Sequence, residues 1–319
     1  MSINPSGRFI NPSPFRRAHV SLAKPMSAQL FRSAFAVMIF VAWGAPTPVT
    51  AQTAQPATAY EGYAQLPGIR IWYKDTGGSG VPVVFMHAAT GSSRVWDYQI
   101  PAFTAAGYRL IAYDRRGWGR SEIVATGPQP GTGADDLQAL MDYLHIDRFH
   151  LVATAAGSSV SLDYAISFPQ RLRSLVMANG ALGGFEDKDY QELGRRIRSP
   201  QLDALPPELR ELGPSYRASN PEGTRRWIEL ERMSRPGGST AQPQSVRNRI
   251  MTSVLENIKV PVLLITGDAD LLAPPPLLRF VAARMKNSES LIIPEAGHSA
   301  YWEQPEIFNR AVLEFIRRH

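Results

Sequence analysis

The stretch "HLVATAAGSS", residues 150–159, decides how this chain is read. A mostly apolar run from Phe149 to Val152 enters a patch of tiny residues, and a helical pattern follows from about Gly157. That layout is a strand–turn–helix elbow, in which a sharp turn at the end of a buried strand lifts one residue to its tip. Small residues at Ala153 and Gly157 let such a turn pass close to its neighbours. An elbow of this kind usually presents a nucleophile, but its tip here is Ala155, which has no reactive group.

On either side of the elbow the chain alternates strands and helices. "GYAQLPGIRIWYKDTG" predicts a hairpin of two amphipathic strands turning at Pro67–Gly68. "VPVVFMHA" (81–88) and "YRLIAYD" (108–114) are nearly continuous apolar runs, the mark of strands buried on both faces. A helix is expected over 94–107. Another over 133–146 places Leu137, Leu140, Met141 and Leu144 on one face. "LRSLVMANG" (172–180) is a further strand. Between about Leu182 and Leu255 the alternation stops, and the segment is charged, Pro-punctuated and helical in period. It reads as a helical cap (182–255) inserted into a sheet domain formed by 60–181 and 256–319. "VPVLLITGDAD", "LLRFVAARM", "ESLIIPEAGH" and a final amphipathic helix from about Pro305 resume the rhythm. Parallel strands with helical crossovers imply an α/β fold with a doubly wound, mostly parallel sheet, and function at the carboxyl ends of the strands.

The formal charge of +6 is concentrated at the N-terminus. Residues 1–51 carry Arg8, Arg16, Arg17, Lys24 and Arg32 and no acid, so the remainder is nearly balanced and gives no reason to expect a nucleic-acid partner. Arg32 precedes an apolar stretch, Ala34 to Ala45, too short to span a bilayer. Val49 and Ala51 in "PTPVTAQ" then occupy the small-residue positions of a cleavage site. A secretory leader over 1–51, a polar linker over 52–59 and a periplasmic or secreted mature protein without a membrane span are therefore expected. Met26 could serve as an internal start, and Arg16–Arg17 is a distant match to a twin-arginine signal. The absence of cysteine excludes disulfides, thiolate metal sites and a Cys nucleophile. No Gly-rich phosphate loop between a strand and a helix, HExxH or Cys/His pattern is present, so neither metal nor cofactor is expected.

Several motifs at the predicted strand ends, taken in chain order, resemble the α/β-hydrolase fold superfamily over about 60–319 apart from the cap. "HAATG" (87–91) lies where that family has its HGxxG-type oxyanion loop, with Ala88 in place of the usual Gly. "YDRRGWGRS" (113–121) matches a largely structural D-x-R-G-x-G-x-S stretch, and "ATAAG" (153–157) occupies the nucleophile elbow. "GDAD" (267–270) and "EAGHSAYWEQP" (295–305) match the acid and histidine loops. The resemblance implies His298 as the base and Asp270 as the acceptor that fixes its tautomer, with Asp268 as a turn residue. It also implies an oxyanion hole from the backbone N–H groups of Ala89 and Ala156, which does not depend on the side chain at 155. Ser158 and Ser159 fall roughly a turn too deep to replace residue 155.

His87, Trp118, Tyr216 and Trp227 are candidate substrate contacts, with internal packing as the plainer alternative for each. Three readings stay open. The first is an enzyme acting on a small carbonyl compound with a His298–Asp270 dyad and no serine nucleophile, whether as a hydrolase of an ester, lactone or C–C type substrate, a lyase or a cofactor-free oxygenase. The second is a non-catalytic binding protein. The third is a serine hydrolase whose nucleophile has been replaced by Ala155.

Overall fold

A computed structural model of the protein describes residues 57–124, 131–180, 185–235 and 244–319. The expected leader, most of the linker and residues 236–243 of the expected cap lie outside the described residues.

The N-terminal hairpin forms as its pattern predicts. Strand β1 (Tyr60–Leu66) pairs antiparallel with β2 (Ile69–Asp75), and Leu66 lies opposite Ile69 across the Pro67–Gly68 turn. The buried runs become β3 (Pro82–Met86), β4 (Arg109–Tyr113), β6 (Phe149–Thr154), β7 (Leu172–Ala178), β8 (Val262–Gly267) and β9 (Ser288–Ile293), with a two-residue β5 (Glu122–Ile123). Together they make a nine-stranded sheet in the order β1-β2-β4-β3-β6-β7-β8-β9, with β5 beside β2. Every pair from β4 across to β9 is parallel, and the pairings of β2 are antiparallel.

Helices cover both faces, which is why the central strands are apolar on both sides. In chain order they are α1 (Gln99–Ala105), α2 (Gly133–Tyr143), α3 (Ala156–Ser167), α4 (Lys188–Ile197), α5 (Pro207–Glu211), α6 (Pro214–Ser219), α7 (Pro221–Arg232), α8 (Thr252–Glu256), α9 (Pro275–Ala282), α10 (Ala300–Glu303) and α11 (Pro305–Ile316). Leu137, Leu140 and Met141 of α2 pack with Leu162 of α3 and Val281 of α9 in one core. Phe103 of α1 and Phe308 and Phe315 of α11 fill the other. The helix expected over 94–107 is instead a 3₁₀ turn, Ser93–Trp96, followed by α1. The residue responsible is Pro101: it has no N–H to bond a carbonyl one turn earlier, and it is tolerated only in the first turn of a new helix.

Between β7 and β8 the described chain is helical, α4 to α8, apart from short connections and one parallel bridge from Phe185 to Ile250. This is the segment read as a cap. It is tied to α3 at Asp163, whose carboxylate accepts the backbone N–H groups of Arg247 at 2.8 Å and Asn248 at 3.0 Å, and at Ser167, whose Oγ accepts Asn248 Nδ2–H at 2.8 Å. Among the described residues, no helix is long and apolar enough to cross a membrane.

Candidate active site

The elbow is a strained turn. Ala155 sits between β6 and α3 at φ 50°, ψ −120°, a region that costs an L-residue on the order of 1–3 kcal/mol and persists only where its surroundings enforce it. They do so here. The Ala155 N–H bonds Ala178 O at 2.8 Å, and its carbonyl receives Ser158 N–H at 2.9 Å. A Cβ at Gly157 would lie 2.8 Å from the carbonyl oxygens of both Met86 and His87, so only glycine lets α3 start this close to β3. Ala156 opens the helix, and its N–H has no backbone acceptor among the described residues; nor has that of Ala89. Ser158 is fully buried and directs its Oγ to Ala178 O, and Thr154 is buried within β6.

The loop after β3 is held by His87. Arg115 N–H can only donate, so the 2.9 Å contact makes His87 Nε2 the acceptor and puts the ring proton on Nδ1, which donates to Ala88 O at 2.6 Å. Burial and the nearby Arg115 charge hold the His87 pKa well below its ordinary value, which keeps the ring neutral. The Ala88 carbonyl and the Ala89 N–H belong to one peptide unit, so His87 also fixes the direction of that N–H. On the next peptide, Trp118 Nε1–H donates to Ala89 O at 2.7 Å.

The base and acid candidates and their supports come from the loops after β7, β8 and β9. His298 Nδ1 lies 2.9 Å from both oxygens of Asp270, and both residues are buried. Asp270 Oδ1 accepts the N–H groups of Leu272 and Ala273, each at 2.8 Å. Its Oδ2 accepts Asn179 Nδ2–H at 3.0 Å. Burial alone would lift the Asp270 carboxyl, but His298 and these hydrogen bonds outweigh it and hold the group below its ordinary range. Burial disfavours the imidazolium as well; the Asp270 charge and hydrogen bond, helped by Glu211, more than offset it and push His298 up to about 9. His298 Nε2 has no protein partner among the described residues. Asp268 is a turn residue, accepting Glu295 N–H at 2.7 Å.

The four side chains expected to meet substrate make hydrogen bonds within the protein. Both nitrogens of His87 and the indole N–H of Trp118 brace the loop around Ala88 and Ala89. Trp227 donates to Ser299 Oγ at 3.2 Å, and Tyr216 OH accepts from Asn220 Nδ2 at 3.3 Å. All four are buried.

Residues that sequence reasoning missed complete the arrangement. Asn179, also at positive φ (50°), bonds Gly297 O at 3.1 Å besides Asp270. Glu303 accepts the N–H groups of Gly213 at 2.8 Å, Gly297 at 2.9 Å and Ser299 at 3.3 Å, and burial pushes its pKa up to about 7. Glu211, from the cap, reaches Thr90 beside Ala89. A signal existed for Glu303, which lies in the histidine loop's own motif, but none existed for Glu211. Among the described residues, no group of three or more His, Cys, Asp or Glu could hold a metal ion.

The family model described as alpha/beta hydrolase fold matches residues 81–305. The 2-hydroxy-6-oxononadienedioate/2-hydroxy-6-oxononatrienedioate hydrolase of Burkholderia vietnamiensis is 31% identical over 268 residues, 78% of this chain and 92% of that protein. A thermophilic esterase from Thermogutta terrifontis aligns over 82% of this chain and 99% of its own, with 25% identity and a TM-score of 0.65. The enol-lactonase of Burkholderia xenovorans LB400 has the same TM-score of 0.65 at 21% identity, covers 80% of this chain and 100% of its own, and shows likeness of fold alone. On the length of the family match and the identity of the hydrolase relative, the chain belongs to the α/β-hydrolase fold family and is an enzyme of the hydrolase superfamily.

Proposed function

We propose that this enzyme hydrolyses a small carbonyl compound, of ester, lactone or C–C (diketone) type, by general base catalysis without an acyl-enzyme. The observation that supports this reading is the buried His298–Asp270 pair, whose Nε2 has no protein partner among the described residues, in a chain whose strained elbow carries an alanine at its tip. In this reading Nε2 takes a proton from water as it adds to the carbonyl carbon. The Ala89 and Ala156 N–H groups receive the developing oxyanion, each worth on the order of 10²–10³ in rate. Asp270 holds the tautomer and stabilises the imidazolium. The likeness to an oxononadienedioate hydrolase and to an esterase supports a small-molecule carbonyl substrate.

A turnover screen of esters, lactones, β-diketones and cyanohydrins, with and without oxygen, tests the proposal. It compares the chain as it stands with His298→Ala and Ala155→Ser. Hydrolysis that His298→Ala abolishes and fluorophosphonates leave untouched is expected; stoichiometric fluorophosphonate labelling at the elbow sinks the reading. A second reading, a lyase, is favoured by the high His298 pKa: an imidazolium present at neutral pH can protonate a departing carbanion or cyanide. Export follows from the leader, and N-terminal sequencing of the mature protein should start after Ala51.

A further inference from the structure

Glu211, in the segment between β7 and β8, sets its carboxyl against the loop after β3. It ends α5, and its backbone oxygen accepts His298 N–H at 2.6 Å and Ser299 N–H at 3.2 Å. Its side chain turns to the loop after β3, where Oε2 accepts the Thr90 hydroxyl at 3.2 Å. The residue is 6% exposed, no Lys, Arg or His pairs with it among the described residues, and Oε1 has no protein donor. An isolated buried carboxylate is costly to keep charged, so it tends to take up a proton. The groups around it are His298 and Asp270 from the strand-end loops, Arg210 on its own helix and Tyr301 on α10, while Arg198 of the cap acts on His298. Burial outweighs the pull of His298 and lifts Glu211 above the ordinary carboxyl range.

We propose that Glu211 is the second proton-transfer residue of this site, donating to the leaving group from its place between the Thr90 loop and His298. The proposal rests on the nucleophile-free hydrolysis described above. A serine hydrolase separates its two proton transfers between acylation and deacylation; direct attack by water brings both into one tetrahedral intermediate. His298 Nε2 takes the proton of the attacking water and the C–O bond to water forms. The bond to the leaving group then breaks, and the Glu211 carboxyl gives that group its proton. Once product has left, the imidazolium releases its proton to solvent and the Glu211 carboxylate takes one up from solvent, so acid, alcohol and resting enzyme are recovered with no other reactant consumed.

The test uses Glu211→Gln, whose amide oxygen can still accept the Thr90 hydroxyl. Infrared titration of the substrate-free enzyme should show a carboxylic-acid band, absent in the variant, that persists past the ordinary glutamic acid midpoint of ~4.3. With p-nitrophenyl acetate, whose phenolate leaves unprotonated, the variant should stay within about twofold of the parent; with ethyl acetate it should lose on the order of a hundredfold in kcat/KM. Equal losses on both esters, or a band that titrates at the ordinary midpoint, overturn the proposal and leave Glu211 as a brace. His298→Ala reports separately on the parent reading. If that variant keeps its activity, or the parent enzyme cleaves neither ester, base-catalysed hydrolysis has failed, while the infrared band still decides whether Glu211 holds a proton.

Discussion

Asn179 Nδ2 lies 3.0 Å from Asp270 Oδ2, and this contact joins the end of β7 to the acid loop after β8. The same amide group reaches Gly297 O at 3.1 Å, so one side chain positions both Asp270 and the loop that carries His298. Replacing Asn179 with Gly keeps the positive φ accessible and removes only the side chain. The lost hydrogen bond to a charged acceptor should cost about 1.5–3 kcal/mol of stability by urea unfolding. Turnover should fall with it, and an unchanged kcat in a correctly folded Asn179→Gly protein counts against the positioning role.

Stability and base activity should run in opposite directions with pH. His298 is raised to about 9 in the folded protein, above its ordinary ~6.5. The stability it contributes is therefore fully present below about pH 6.5 and is lost as pH rises through about 9. The unprotonated base grows over that same window, so kcat/KM for p-nitrophenyl acetate, whose leaving group needs no acid, should climb towards about pH 9. Chemical unfolding followed across this range should lose its slope in His298→Ala.

Trp118→Phe removes one hydrogen bond, to Ala89 O, and keeps most of the buried ring. With the Ala89 peptide less constrained, kcat should fall by roughly tenfold, since only part of one oxyanion donor's contribution is lost. KM should change little, because the group acts on the transition state. A rise in KM at constant kcat would instead assign Trp118 to substrate binding.

The strained backbone at Ala155 makes the nucleophile restorable. Ala155→Ser places an Oγ at the tip without changing φ or ψ. The variant should show burst kinetics with p-nitrophenyl acetate and accept a fluorophosphonate, whereas the protein as it stands should show neither. A variant that still fails to label would mean that His298 does not reach the tip.

Glu303 gathers three backbone N–H groups, from Gly213, Gly297 and Ser299, in a buried position. Glu303→Ala leaves those donors unsatisfied, each loss worth about 1–3 kcal/mol before water or relaxation compensates. A marked drop in melting temperature is expected, together with a loss of activity, because Gly297 and Ser299 flank His298.

Much of the fold could be read from local pattern. Alternation in "GYAQLPGIRIWYKDTG" set the hairpin, and apolar continuity in "VPVVFM" and "FHLVAT" marked strands covered on both faces. Pro101 held the signal for the break between the 3₁₀ turn and α1, although the apolar pattern across it suggested one helix. The elbow was legible because tiny residues at 153–157 have few other uses at the end of a buried strand. His298 and Asp270 could be named only through the family resemblance that "GDAD" and "EAGHSAYWEQP" carry, because a lone His or Asp in a turn after a strand has no local mark of a role.

What the sequence by itself determined is therefore the order of strands and helices, the strained elbow with its empty tip, and the loops that bear the candidate base and acid. Only the tertiary structure decided what those loops lean on. It turned both nitrogens of His87 inward, set Asn179 behind Asp270, drew Trp227 onto Ser299, and brought Glu211 from the cap to Thr90. Each of these contacts joins residues far apart in the chain, apart from the His87 bond to its neighbour. Hydrogen bonding over about 3 Å carries no periodicity that a sequence can display; it exists only once the sheet and the cap have put the two groups face to face.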